Sequence, residues 1–242
     1  MTIGSDLNRA VGRDTFAMSD GVYVAQVDIH ERQLTLKLVY YGPPLSGKTT
    51  NLRWIHQLVD GRNRGRLMTL DTRDDRTLFF DLLPIFFRTS KLAIRLKVYT
   101  VPGQPMHETT RQLVLRGADG IAFIADAQRS QTRANNDAYQ NMLRNMNEVG
   151  LVQTRVPVVI QYNKCDLPDV LSESESRAFG ELPDGREESV YRSVAIHGTG
   201  VVDTFLGLVE QTWIAADRHI KLEGPFGIGC RDFLAALREH IA

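Results

Sequence analysis

The feature that most constrains the fold is the segment Gly42-Pro43-Pro44-Leu45-Ser46-Gly47-Lys48-Thr49. It matches the pattern G-x-x-x-x-G-K-[ST]. Alternating apolar residues predict a strand over 34–40 before it, and a helix over 49–59 follows it. A loop between a strand and a helix that carries this pattern is typical of a phosphate-binding site. The alternative is a Gly/Pro-rich turn that matches by coincidence.

The chemistry of such a loop assigns a role to each of its parts. Backbone N–H groups from Leu45 through Thr49 surround a β-phosphate, and the helix N-terminus adds its positive end. Lys48 supplies a cation to the β- and γ-oxygens, and the Thr49 hydroxyl is a ligand for Mg²⁺. The predicted phosphate-binding residues are Gly42, Leu45, Ser46, Gly47, Lys48, Thr49 and Thr50.

The order of apolar runs predicts the fold class. Further strands are expected over 82–87, 92–99, 120–125, 156–162 and 190–196, and helices over 106–116, 129–149 and 201–217. Short buried strands that alternate with helices indicate a mostly parallel twisted sheet with helices on both faces. The prediction is an α/β fold of the P-loop NTPase type.

The chain divides into a nucleotide-binding domain over 34–217 and two extensions. The N-terminal extension, 1–33, contains a possible strand at 22–29, which we expect at a sheet edge because a central neighbouring strand has no free side. The C-terminal extension, 218–242, contains an amphipathic helix over 231–241. We expect this helix to pack on its own domain, with a partner or a membrane surface as the alternative.

Composition excludes several classes of protein. With 29 Lys+Arg and 29 Asp+Glu in 242 residues, the net charge is zero, which argues against a nucleic-acid partner. Cys165 and Cys230 show no CxxC pattern, so neither a disulfide framework nor a zinc site is predicted. No secretory signal and no integral membrane segment are apparent, so a cytoplasmic location is expected.

The segment Asn163-Lys164-Cys165-Asp166, directly after the strand predicted over 156–162, identifies the base. The Asp166 carboxylate can accept bonds from guanine N1–H and the 2-amino group, while the Lys164 stem lies over the ring and Asn163 ties loops together. Adenine lacks both donors, and each charged hydrogen bond is worth about 1.5–3 kcal/mol. Guanine is therefore favoured, and an ATP-using phosphotransferase remains the alternative if Asp166 is incidental.

Five longer motifs occur in one order: KLVYYG, GKTTNL, DRTLFFDLLP, YTVPGQ and VIQYNKCDLP. Together they resemble the MglA family, prokaryotic Ras-like small GTPases that set cell polarity in gliding bacteria. The resemblance covers about residues 34–217. It implies GTP and GDP as ligands with Mg²⁺, and the Ras-like form of the P-loop fold.

The resemblance also implies roles for single residues. Thr77 would bind Mg²⁺ and sense the γ-phosphate, and Arg76 would act as an arginine finger within the same chain. Gln104 would orient the attacking water, Gly103 would give its amide to the γ-phosphate, and the Ala195 N–H would meet guanine O6. Such an arginine is worth about 10³–10⁵ in rate.

The family further implies a molecular switch in polarity or gliding motility. Its partner would be a Roadblock-type activating protein similar to MglB, which orders Arg76 and Gln104 rather than donating an arginine. Arg73 is the alternative finger. Effectors stay unknown, and recruitment to the cell poles would depend on partners. The alternative function is a nucleotide-binding scaffold with negligible hydrolysis.

Two residues depart from the general Ras-like pattern. Pro44 stands where a glycine is usual, which crowds the space beside the γ-phosphate and predicts slow hydrolysis without a partner. Thr100 replaces the usual acid of D-x-x-G, so support of Mg²⁺ must either be weaker or come from another carboxylate, such as Asp71, Asp74 or Asp75. We interpret Asp126 as structural.

Overall fold

The computed structural model describes residues 25–28, 30–70, 80–152, 155–179 and 188–241. The strands within these residues are β1 (Gln26–Asp28), β2 (Gln33–Tyr41), β3 (Met68–Leu70), β4 (Phe80–Arg88), β5 (Ala93–Thr100), β6 (Gly120–Asp126), β7 (Val158–Asn163) and β8 (Ser189–Arg192). The helices are α1 (Lys48–Leu58), α2 (Glu108–Leu115), α3 (Thr132–Glu148), α4 (Glu173–Ala178), α5 (Val201–Ile220), α6 (Glu223–Phe226) and α7 (Cys230–Arg238).

The described strands form one sheet in the order β3-β4-β5-β2-β6-β7-β8, with β1 paired to β2. The strands β5, β2, β6, β7 and β8 run parallel, whereas β3 and β4 are antiparallel to their neighbours. The predicted mostly parallel α/β fold is confirmed. Parallel strands place their carboxyl ends at one edge, so the loops after β2, β5 and β7 meet there.

Helices bury both faces of the sheet. One core lies under α1, α5 and α7, and the other lies under α2 and α3. Neighbouring β2 residues alternate between the cores because successive side chains of a strand point to opposite faces: Tyr40 belongs to the first core and Tyr41 to the second. The sheet is therefore held rigidly behind its carboxyl edge.

The strand expected within 22–29 is present as β1, but its predicted position is wrong. It pairs antiparallel with the start of β2, with Val27 opposite Leu34, although β2 is central. On that side of β2, β6 begins only opposite Leu38, so the first residues of β2 have free backbone groups. Residues 22–24 and 29 lie outside the described residues.

The C-terminal helix α7 packs on the chain's own domain. Phe233 and Leu237 are fully buried, and the Phe233 ring stacks on Trp213 of α5 with centroids 4.1 Å apart. The ring of Phe87 in β4 also contacts the Phe233 ring, with centroids 5.7 Å apart. In the described part of the chain, no helix combines the length and apolar character needed to cross a membrane.

Other predicted elements differ mainly at their ends. The strand predicted over 190–196 ends at Arg192, and a short 3₁₀ helix occupies Ala195–His197. The predicted helices at 106 and 129 each begin with a 3₁₀ turn. The short elements β3, α4 and α6 were not predicted, because three to six residues are too few to establish a period.

Candidate nucleotide site

The loop between β2 and α1 forms a cradle that only glycine permits at two points. Gly42 has φ +147°, and a Cβ there would lie 2.2 Å from the Ile124 carbonyl oxygen. Gly47 has φ +101°, and its Cβ would lie 2.1 Å from the Asn163 amide nitrogen. Both positions need left-handed backbone and close approach, so the predicted phosphate loop adopts a compact turn at the N-terminus of α1.

The remaining loop residues surround this turn. Leu45 is exposed with φ +61°, Ser46 is fully buried, and Thr50 lies half-buried in the first turn of α1. The Ser46 hydroxyl has no hydrogen-bond partner among the described residues.

Lys48 folds back into the loop. Its Nζ donates to the carbonyl oxygens of Gly42 at 2.9 Å and Pro43 at 2.7 Å. Burial, and secondarily the charge of Arg111, lower the pKa of Lys48 to about 7, against the attraction of Asp81. A buried ammonium favours an anion beside it, so the cradle is suited to phosphate.

A buried carboxylate, Asp81, lies beside the cradle. Its Oδ2 accepts from the Thr49 hydroxyl at 2.7 Å and from the Thr100 hydroxyl at 3.0 Å, and its Oδ1 accepts from Thr69 at 2.8 Å. Its own N–H donates to the Thr100 Oγ at 2.9 Å. The antiparallel β4–β5 pairing brings Asp81 and Thr100 together.

Asp81 is the site residue that sequence reasoning missed. The signal was a single acid in the apolar run FFDLLP, on the strand face shared with Leu83 and Ile85. Asp81 therefore places a carboxylate beside Thr100, the neutral residue that stands where the D-x-x-G pattern has an acid.

The loop after β5 closes against the phosphate loop. A Cβ at Gly103 would lie 2.4 Å from the Pro44 nitrogen, so the two backbones are in close contact. Gln104 is exposed, and its carbonyl accepts from Arg111 Nη1 at 2.5 Å. The structure thus places Gly103 and Gln104 at the rim of the phosphate cradle.

Asn163 links three parts of the site. Its amide Nδ2 donates to the Ser46 carbonyl at 2.8 Å, and its Oδ1 accepts from the Ala195 N–H at 2.8 Å and the Ser193 hydroxyl at 3.1 Å. Because the Ala195 N–H already bonds to Asn163, the predicted bond to guanine O6 requires sharing or releasing that donor.

Lys164 and Asp166 lie in the same loop. Lys164 has φ +65°, and its Nζ is 2.5 Å from Asp126 Oδ2. Asp126 is buried at the end of β6 and also accepts from the Gln128 N–H at 3.0 Å. Asp166 is exposed. Asp126 therefore forms an ion pair with Lys164 of the base-reading segment.

The two remaining predicted site residues, Arg76 and Thr77, lie outside the described residues. The same is true of Arg73 and of the three carboxylates expected to support Mg²⁺, Asp71, Asp74 and Asp75.

A cavity of about 510 Å³ opens between the phosphate loop and the loop after β5. Its lining includes Pro44, Lys48, Thr49, Asp81 and Gln104. A larger cavity of about 660 Å³ lies by the opposite end of β2, where Lys37 and Asp119 line it. The smaller cavity coincides with the groups suited to phosphate and a divalent ion.

Comparison with known proteins agrees with this geometry. The chain is 40% identical over 179 residues to the mutual gliding-motility protein MglA of Myxococcus xanthus, a match that covers 74% of this chain and 90% of that protein. The chain belongs to the MglA family. No family model matches it.

Membership of the MglA family confirms the resemblance found in the sequence motifs, and with it the assignment to Ras-like small GTPases. The mixed sheet with helices on both faces is the fold that this family implies. The described MglA-type motifs meet at one edge of the sheet.

Proposed function

We propose that this chain binds GTP with Mg²⁺ and hydrolyses it to GDP and phosphate, so that each nucleotide state selects different partners. The observation that carries the proposal is the Asn163 side chain, which bonds to both Ser46 and Ala195 at 2.8 Å. One side chain thereby fixes the spacing between the phosphate cradle and the base-reading loops. A bound nucleotide needs that spacing to be constant.

The base would be recognised by Asp166, which accepts from N1–H and the 2-amino group of guanine. The aliphatic stem of Lys164 would cover the ring while its Nζ remains with Asp126 at 2.5 Å. The exposed position of Asp166 leaves its oxygens accessible to the base. Two charged hydrogen bonds favour GTP over ATP.

The oxygen ligands beside the cradle fit Mg²⁺, which prefers hydroxyl, carboxylate and phosphate oxygens. Thr49 and Thr77 would hold the ion, and Asp81 would orient Thr49 from its position 2.7 Å away. The ion would supply positive charge to the β- and γ-oxygens. Lys48 would bring a second positive charge to the same oxygens.

Hydrolysis would depend on Gln104, which orients the attacking water, and on Arg76, which stabilises charge on the transferred phosphoryl group. A Roadblock-type protein similar to MglB would order both residues. The name of the Myxococcus relative connects it with gliding motility. We extend this role to polarity or motility in the cytoplasm, with partners recruiting the chain to cell poles.

The finger assignment is tested with two matched variants. Arg76→Ala should leave GTP affinity nearly intact and remove most partner-stimulated turnover, a loss of about 10³-fold or more. Arg73→Ala, the control, should retain stimulation. Retained stimulation in Arg76→Ala, or its loss in Arg73→Ala alone, would overturn the assignment.

The alternative, a scaffold with negligible hydrolysis, rests on the contact between Pro44 and Gly103, which restricts space beside the γ-phosphate. Single-turnover hydrolysis with excess protein separates the two functions. Product formation several orders of magnitude faster than without protein excludes the scaffold. A rate equal to the control without protein, also after addition of the activating partner, excludes the enzyme.

A further inference from the structure

A buried arginine on α2 holds the loop after β5 from behind. Arg111 is only 4% exposed. Its Nη1 donates to the carbonyl of Gln104 at 2.5 Å and, over a longer distance of 3.4 Å, to the carbonyl of Pro102. These carbonyls flank Gly103. A buried guanidinium needs hydrogen-bond acceptors and a counter-charge, and these two carbonyls supply its Nη1 with acceptors from the loop after β5.

The carboxylate of Glu108 fixes the arginine in turn. Glu108 pairs with Arg111 Nη2, and the Asn141 amide of α3 donates to its two oxygens at 2.9 Å and 3.2 Å. Burial opposes ionisation of Glu108, but bonds from Arg111, Asn141 and Asn145 outweigh it and lower its pKa. The arginine is therefore anchored to a helix outside the nucleotide site.

The network also includes the strand that leads into the phosphate loop. The Tyr41 hydroxyl donates to Asn141 Oδ1 at 2.6 Å and accepts from Asn145 Nδ2 at 2.9 Å. Tyr41 is buried and directly precedes Gly42. A continuous set of bonds thus joins α3, the entry to the phosphate loop and the loop that carries Gln104.

The geometry points to Arg111 as a positioning residue for GTP hydrolysis, which holds Gly103 and Gln104 through their backbone. The C=O and N–H of a trans peptide point in opposite directions. A bond from Arg111 to the Pro102 carbonyl therefore directs the Gly103 N–H away from α2. This inference rests on the proposed function, in which Gly103 and Gln104 act at the γ-phosphate, and it makes the position of α3 a determinant of rate.

The test is a double-mutant cycle on the full chain. Arg111→Met should slow single-turnover hydrolysis about tenfold or more while GDP affinity changes less than about threefold. Because Arg111 acts through both Gln104 and the Gly103 N–H, adding Arg111→Met to Gln104→Ala should cause a smaller loss than Arg111→Met causes alone. Multiplied effects in the double variant, or an unchanged rate in Arg111→Met, would overturn the inference.

A second variant keeps the inference testable even if Arg111→Met fails to fold. Asn141→Ala removes the support of Glu108 on α3, and Asn136→Ala alters an exposed residue of the same helix as the control. With GDP bound, hydrogen exchange of the amides in residues 103–107 should accelerate at least about threefold in Asn141→Ala and stay unchanged in Asn136→Ala. Equal exchange in all three proteins would contradict the inference.

The two measurements separate this inference from the proposed function. If Gln104→Ala hydrolyses GTP at the unaltered rate, the proposed role of Gln104 fails, whereas exchange in residues 103–107 still decides whether Arg111 and Asn141 hold the loop.

Discussion

Replacing Asp81 by Asn removes one negative charge and keeps the shape of the side chain. Three hydroxyls donate to this carboxylate, from Thr49 at 2.7 Å, Thr69 at 2.8 Å and Thr100 at 3.0 Å. A hydrogen bond to a charged group is worth about 1 kcal/mol more than a neutral one. Of the three donors only Thr49 is proposed as a Mg²⁺ ligand, so only its bond counts toward Mg²⁺-dependent affinity, and losing about 1 kcal/mol there corresponds to about fivefold in that affinity.

The assay is the release of a fluorescent GDP analogue, followed in excess Mg²⁺ and again in excess EDTA. In the unaltered chain, Mg²⁺ should slow release strongly. In Asp81→Asn, the ratio of the two release rates should fall about fivefold or more. Asp137→Asn, which alters an exposed carboxylate of α3, serves as the control and should leave the ratio unchanged.

A carboxylate restored nearby should rescue the variant. Because Thr100 Oγ lies 3.0 Å from Asp81 Oδ2, Thr100→Asp places an acid in the same region. Combined with Asp81→Asn, Thr100→Asp should recover most of the Mg²⁺ response. Thr100→Asp alone places two negative charges side by side and should lower the free energy of unfolding. A release ratio in Asp81→Asn within twofold of the unaltered chain would refute the reasoning.

Three further predictions concern stability and base binding. Phe233→Ala should lower the free energy of unfolding in urea by about 3–5 kcal/mol, because the buried ring stacks on Trp213, and a loss below about 1 kcal/mol would contradict the packing of α7. Asp126→Asn should weaken GDP binding about tenfold in a titration by leaving Lys164 without its charged partner; an unchanged Kd would show that the pair is incidental. Burial raises the pKa of Asp119 from 3.8 to about 7, so the folded chain holds a proton that the unfolded chain releases, and stability should fall as pH rises from about 4 to about 7. The stability of Asp119→Asn relative to the unaltered chain should therefore rise by about 2–3 kcal/mol between pH 5 and pH 8 in urea unfolding, and a constant difference would disprove the assignment.

The strands and the phosphate loop could be predicted because their signals are local. The alternation from Leu34 to Tyr40 and the spacing of Gly42, Gly47 and Lys48 each lie within ten residues. Such patterns need no knowledge of which strands pair.

The carboxylate beside Thr49 could not be predicted in this way. Because Thr100 is neutral, Asp71, Asp74 and Asp75 were offered as other carboxylates, whereas the described carboxylate beside Thr49 is Asp81. Its proximity to Thr100 follows from the antiparallel register of β4 with β5, in which Leu82 lies opposite Tyr99. Register between strands depends on packing across the whole sheet.

The predicted position of β1 was wrong for a related reason. A central strand was taken to have both sides occupied along its full length, but β6 covers only the part of β2 from Leu38 onward. Strand ends are offset in a twisted sheet, so Val27 finds free backbone groups beside Leu34. Where neighbouring strands begin is not encoded in the alternation of a single strand.

Asp166 and the cradle around Gly47 are proposed to select a guanine nucleotide together, and a competition experiment tests this selection. Unlabelled GTP and ATP are titrated against a bound fluorescent GDP analogue in the full chain. Because two charged hydrogen bonds distinguish the bases, GTP should displace the analogue at concentrations lower than those of ATP by on the order of 10³-fold, and Asp166→Ala should lose that preference. Equal displacement by the two nucleotides in the unaltered chain would contradict it.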